Sequence, residues 1–227
     1  WGVAAVLVLV AVAFIGVAGF SRDASTPVAG FRVVNVFPHD PKAFSQGLVI
    51  ADGQLYEGTG QYGQSSLRKV DLETGRIELI VPLNRDYFGE GVTVLDGKIY
   101  QVTWKKRLGL IYELKTLQPI GSFRYAGEGW GLTNDGTDLI LSDGSSVLRF
   151  LDPSTFETKR RLEVRSGRSR ISKLNELEYI NDEIWANIWY SDRIARISPK
   201  TGEIVGWVEL GALYPAHERG SREHVLN

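Results

Sequence analysis

The chain has 227 residues, a formal net charge of −1, no cysteine and no methionine, and starts at Trp1. That length suffices for one domain with a substantial core, and the near-neutral charge gives nucleic acid no footing. Without cysteine there can be no disulfide, no thiolate metal site and no Cys nucleophile.

Residues 2–20, GVAAVLVLVAVAFIGVAGF, carry no charge. As a helix rising about 1.5 Å per residue they nearly span a bilayer core of about 30 Å. Three readings compete: a signal peptide, an uncleaved membrane anchor and a buried helix. The stretch is long for a signal peptide, which favours an N-terminal hydrophobic helix acting as anchor, although Val17-Ala18-Gly19 offers a small-residue cleavage site. Either of the first two readings places the rest of the chain outside the cytoplasm, periplasmic or secreted. A first residue other than Met reads as a clipped N-terminus or a fragment. Residues 21–30, SRDASTPVAG, read as a linker, and residues 31–227 as the globular domain.

After residue 30 the strongest signal is repetition. Residues 90–104, EGVTVLDGKIYQVTW, align without a gap with 175–189, NELEYINDEIWANIW, and with 46–60, QGLVIADGQLYEGTG. Residues 130–144, WGLTNDGTDLILSDG, fit with one gap. Each unit reads strand, tight turn, strand, with Asp-Gly at 52–53, 96–97 and 135–136 as hairpin turns. A second hairpin follows in each unit, at 67–77, 111–120, 147–162 and 194–210. Four strands per unit with a period of about 40–45 residues mark the blades of a β-propeller; a β-sandwich would not repeat so regularly. There are four full units. The tail REHVLN at 222–227 reads as the start of a fifth inner strand, and FRVVNVFP at 31–38 as an outer strand closing the ring against the last blade. The expected fold is thus an all-β, five-bladed propeller with a truncated fifth blade, and the native protein is expected to run on by about 30 residues, the rest of one blade.

In a propeller the starts of the innermost strands line one mouth of the central channel. Here those positions hold Gln46, Glu90, Trp130 and Asn175. Packing alone would repeat one residue type, so four unlike side chains point to a binding site, against the alternative of a solvated rim. Phe44 and Phe88 stand two residues before Gln46 and Glu90, and Trp104 and Trp189 share one repeat position. Together they suggest an aromatic pocket with a few convergent polar groups, although for any single Trp core packing is the commoner role. His39, His217 and His224 lack metal-ligand spacing and read as surface or loop residues. No nucleophile elbow or phosphate loop occurs. The run RSGRSR at 165–170 reads as a solvated loop.

Four stretches, FPHDPKAFSQGL at 37–48, YFGEGVTVLDGKIYQVTW at 87–104, EGWGLTNDG at 128–136 and LNELEYINDEIWANIW at 174–189, resemble the plant and bacterial glutaminyl cyclases, or glutamine cyclotransferases. The resemblance covers residues 31–227. It implies a five-bladed propeller and a metal-independent transferase, without cofactor, that closes the N-terminal Gln of peptides or proteins into pyroglutamate and releases ammonia. It assigns catalysis to Glu90 and substrate binding to Gln46, Asn175, Phe44, Phe88, Trp104, Trp130 and Trp189. The family also brings a lysine to the site from its last blade, at a position beyond Asn227. The expected protein is a monomer that binds no nucleic acid and meets a membrane only through residues 2–20. Two rival readings stay open: a propeller that binds peptides without catalysis, and a calcium-dependent lactonase-like hydrolase, which needs several convergent carboxylates where this ring offers Glu90.

Overall fold

The computed structural model describes residues 5–11, 26–215 and 217. Its described part is a propeller-like array of four antiparallel four-stranded blades, with no α-helix among the described residues. From the innermost strand outward, blade 1 runs Ser45–Ala51, Gln54–Thr59, Ser66–Val70 and Ile77–Pro82, and blade 2 runs Gly89–Leu95, Lys98–Thr103, Leu108–Glu113 and Pro119–Arg124. Blade 3 runs Leu132–Asn134, Leu139–Leu141, Val147–Leu151 and Thr158–Glu163, and blade 4 runs Leu174–Ile180, Glu183–Ile188, Arg193–Ile197 and Ile204–Glu209.

The turns follow from their residues. Asp52-Gly53 and Asp96-Gly97 both take positive φ (51° and 75°, 50° and 71°), as a two-residue hairpin requires. Asn181 and Asp182 make the same turn in blade 4 at 50° and 61°. In blade 3 the loop is longer: the Asp135 carboxylate accepts the backbone N–H groups of Thr137 and Asp138 at 3.0 and 2.8 Å. The outer hairpins repeat one device. The first side chain (Asp71, Glu113, Asp152 or Ser198) accepts the N–H of Thr74, Thr116, Thr155 or Thr201, and the next residue takes positive φ. Gly75 and Gly202 do this freely; Leu117 and Phe156 do it at φ 56° and 60°.

The core lies between blades. Blades 1 and 2 bury Tyr56, Leu67, Val92, Ile99 and Tyr112; blades 2 and 3 bury Tyr100, Phe123, Leu132 and Leu141; blades 3 and 4 bury Phe150, Leu177, Ile184 and Ile197. Near the axis the inner strands approach closely through glycine. A Cβ on Gly47 would lie 2.8 Å from Gly91 Cα, and one on Gly91 would lie 2.8 Å from Gly131 Cα. A Cβ on Gly131 would overlap the Asn175 carbonyl.

Three expectations are corrected. A fifth blade is absent from the described residues: four blades are present, and the tail at 222–227 on which the fifth was read lies outside them. Arg32–His39 does not close a ring against the last blade. It pairs antiparallel with Ala5–Ala11, while Val28–Ala29 adds in parallel to the outermost strand of blade 4, opposite Trp207 and Val208. The N-terminal hydrophobic helix is likewise overturned where it is described, since Ala5–Ala11 is a strand; residues 2–4 and 12–20 lie outside the described residues. The β-branched valines of both segments favour extended backbone, and the two find each other. Among the described residues no helix is long and apolar enough to cross a membrane.

Candidate active site

Three of the four ring positions sit at irregularities of the inner strands. In blade 1 the register passes from Ser45↔Thr59 to Gly47↔Gly58, so Gln46 is the extra residue of a bulge. In blade 2 it passes from Gly89↔Thr103 to Val92↔Gln101, so Glu90 and Gly91 oppose one residue. In blade 4 it passes from Leu174↔Ile188 to Leu177↔Ala186, so Asn175 and Glu176 do the same. Such bulges turn side chains out of the alternating order of a strand and are common beside active sites. Trp130 stands just before the short inner strand of blade 3, and its carbonyl accepts the Gly91 N–H at 2.8 Å. Ser142 ties blade 3 to blade 4: its hydroxyl donates to the Asn175 carbonyl at 2.7 Å and accepts the Gly131 N–H at 2.7 Å.

The aromatic residues form two connected runs. Phe44 meets Phe88 edge-on at 6.1 Å between centroids, and Phe88 meets Trp104 at 5.6 Å. Trp130 meets Trp189 edge-on at 5.3 Å. One carboxylate joins the runs: Glu128 Oε2 accepts the indole N–H of Trp104 at 2.7 Å and that of Trp130 at 2.9 Å. Tyr62 packs on Phe88 and Tyr190 stacks on Trp189, extending the wall at both ends. Trp189 is partly open to solvent, and Lys105 Nζ lies over the Trp104 ring at 3.7 Å. Gln46 joins the first run through its neighbour: a Cβ on Gly60 would touch Gln46 Cγ at 3.1 Å and overlap the Phe88 ring.

Glu90 is 7% exposed. Burial, reinforced by the charge of Glu128, pushes its carboxyl well above the usual glutamate range. A buried carboxyl that holds its proton more tightly than usual is the equipment of a general acid. Glu176 and Glu178, further along the inner strand of blade 4, are raised as well. Glu176 is raised well above its usual range by burial and by the charge of Glu178, and Glu178 is pushed up to about 7 by burial.

Reading the sequence by repeat position missed Glu128, Glu176 and Glu178, and the tyrosines at the ends of the wall. Glu128 lies inside the EGWG stretch, but its contact with Trp104 is tertiary and carries no spacing signal. His39, read as a surface or loop residue, is in fact mostly buried, with Nε2 2.8 Å from Glu57 Oε1. Glu57 also accepts the Ser45 hydroxyl at 2.5 Å, and Arg68 pairs with Asp40 at 3.0 Å. This network braces the segment that carries Phe44 and Gln46. His224 lies outside the described residues. The run at 165–170 forms a small hairpin whose Arg165 and Arg170 both pair with Glu163. Among the described residues no group of three or more His, Asp or Glu could hold a metal ion.

The fold and these motifs recur elsewhere. The chain is 32% identical to the glutaminyl cyclase of Myxococcus xanthus, whose crystal structure superposes with a TM-score of 0.78 over 88% of this chain and 84% of that one. A Bacteroides caccae protein of unknown function, at 12% identity and a TM-score of 0.57 over 86% of this chain and 77% of its own, shares the fold alone. The glutaminyl-peptide cyclotransferase of Arabidopsis thaliana is 46% identical over 197 residues, which are 86% of this chain; the chain spans 62% of that relative's length. The family model for glutamine cyclotransferase matches residues 5–227, and the chain belongs to the glutamine cyclotransferase family.

Proposed function

We propose that the chain is a glutaminyl-peptide cyclotransferase, converting the N-terminal Gln of peptides or proteins into pyroglutamate with release of ammonia. The observation that carries this reading is the buried Glu90 carboxyl, held well above the usual glutamate range at a bulge of the inner strand in a chain of this family.

The reaction is intramolecular. The substrate's α-amine attacks its own γ-carboxamide carbon, a C–N bond forms, the bond to the amide nitrogen breaks, and ammonia leaves. Nucleophile and electrophile share one residue, so the first task is to hold the folded rotamer, which the aromatic wall can do. The second task is proton transfer, because an amide nitrogen leaves poorly until protonated. Glu90 gives its proton to the departing nitrogen and takes one from the attacking amine, ending as it began. Gln46 and Asn175 supply amide groups to orient the substrate carboxamide and the oxygen that gains charge at the tetrahedral stage. The indoles of Trp104 and Trp130 keep water from the reacting carbon, so that cyclisation is not diverted to hydrolysis. No enzyme nucleophile is required. An extracytoplasmic setting belongs to the same reading.

The test is to incubate the chain with a Gln-initiated peptide and its Asn-initiated counterpart. Release of ammonia with loss of the free α-amine from the Gln peptide alone supports the reading. An unmodified Gln peptide that nevertheless binds favours a non-catalytic peptide-binding propeller.

A further inference from the structure

Trp104 ends a strand of blade 2, and Trp130 precedes the inner strand of blade 3. Both indole N–H groups end on one atom, Glu128 Oε2, at 2.7 and 2.9 Å. A carboxylate receiving two donors at these distances makes charge-assisted bonds, stronger than neutral ones.

Glu128 is itself held. Arg149, 4% exposed, donates to the carbonyl oxygens of Ala126 and Glu128 and pairs with Asp143 at 3.1 Å. Gly127 takes φ 78°, and a Cβ there would press on the Arg149 guanidinium. Tyr125 is anchored through its hydroxyl, which accepts the Thr103 N–H and donates to the Thr103 carbonyl. The segment 125–128 is therefore a fixed bracket between blades 2 and 3.

We propose that Glu128 is the positioning residue of this pocket, holding the indoles of Trp104 and Trp130 in register across the blade boundary and setting a negative charge beside Glu90. The second part rests on the cyclotransferase reading; the first does not. Glu128 acts on Glu90, and Glu90 in turn acts on Tyr125, whose hydroxyl is pushed up to about 12 chiefly by burial. Glu128 is bonded to the Trp130 indole, and the Trp130 carbonyl accepts the N–H of Gly91, the residue after Glu90; burial raises Glu90 first, and the charge of Glu128 adds to it.

Glu128→Gln and Glu128→Ala in the full chain separate the two parts. The amide oxygen of Gln still accepts both indole N–H groups but brings no charge; Ala removes acceptor and charge together. In Glu128→Ala the indole N–H resonances of Trp104 and Trp130 move, and KM rises about tenfold, the scale of losing hydrogen bonds to a charged group. Glu128→Gln restores KM to near the wild-type value, yet the alkaline limb of its kcat profile moves to lower pH, because Glu90 then ionises more readily. Indole resonances unchanged in Glu128→Ala overturn the positioning role, and an alkaline limb unchanged in Glu128→Gln overturns the electrostatic one. If the Ala variant does not fold, the Gln variant decides both parts: disordered indole resonances or an unmoved limb count against the proposal. Should the wild-type chain release no ammonia, the cyclotransferase reading falls, and the indole resonances still decide the positioning role.

Discussion

The backbone N–H of Gly91 donates to the carbonyl of Trp130 at 2.8 Å, so the residue after Glu90 is tied directly to the ring residue of the next blade. The approach is possible because Gly91 carries no Cβ. A methyl group on Gly91 would lie 2.7 Å from the Gly131 carbonyl carbon and would overlap the Leu132 nitrogen. Both neighbours are backbone and cannot turn aside. Gly91→Ala is expected to cost about 2–3 kcal/mol, the usual scale of overpacking, and to lower turnover by shifting Glu90 away from Trp130. Urea denaturation of the variant beside the wild type measures the first effect, and a cost below about 0.5 kcal/mol, within ordinary surface scatter, would contradict the close approach.

Two buried glutamates and a half-buried one make stability depend on pH. Glu90, Glu176 and Glu178 all hold protons more tightly in the folded chain than in the unfolded one, each chiefly through burial. A group of this kind stabilises fully below the unfolded value of about 4.3 and loses that contribution as pH rises through its folded value. For Glu178 the folded value is about 7. Carboxyls held low, such as Asp40, act in the opposite direction and only in acid. The melting temperature is therefore expected to fall between about pH 5 and pH 8, and Glu178→Gln, which cannot ionise, flattens that fall. Parallel melting curves for variant and wild type across this range would remove Glu178 from the explanation.

Arg149 ends against two backbone carbonyls and one carboxylate, all at the bracket that carries Glu128. Arg149→Met keeps an unbranched stem but leaves those acceptors without their donor. The expected loss is about 3 kcal/mol, as for other broken buried pairs, accompanied by a higher KM because Glu128 is no longer fixed. A stability loss with KM unchanged would mean that Arg149 supports the blade alone.

The sequence showed the blades because each obeys the same local rules: alternating strands, Asp-Gly turns with positive φ, and outer turns capped by an acidic or hydroxyl side chain. Gln46, Glu90, Trp130 and Asn175 stood out because equivalent repeat positions should be alike and these are not. The ring closure was misread for a physical reason. Arg32–His39 has a strong extended pattern but no signal of its partner, whereas Val28–Ala29, which does join blade 4, is too short to show any period. The bulges were invisible because an extra residue in a strand changes pairing without changing composition. Glu128 looked like one more polar residue in a loop; only the fold brings Trp104 to it.

Glu90 carries the central claim, and Glu90→Gln tests it most directly. Glutamine fills the same buried space and stays neutral, and burial disfavours the charged form of Glu90, so the variant should fold and melt at or above the wild-type temperature. With a Gln-initiated peptide its kcat should fall by about a hundredfold or more, the scale of losing a general acid–base group, while KM changes little. A folded Glu90→Gln protein that still releases ammonia within about threefold of the wild-type rate, well short of that scale, would show that the proton travels by another route.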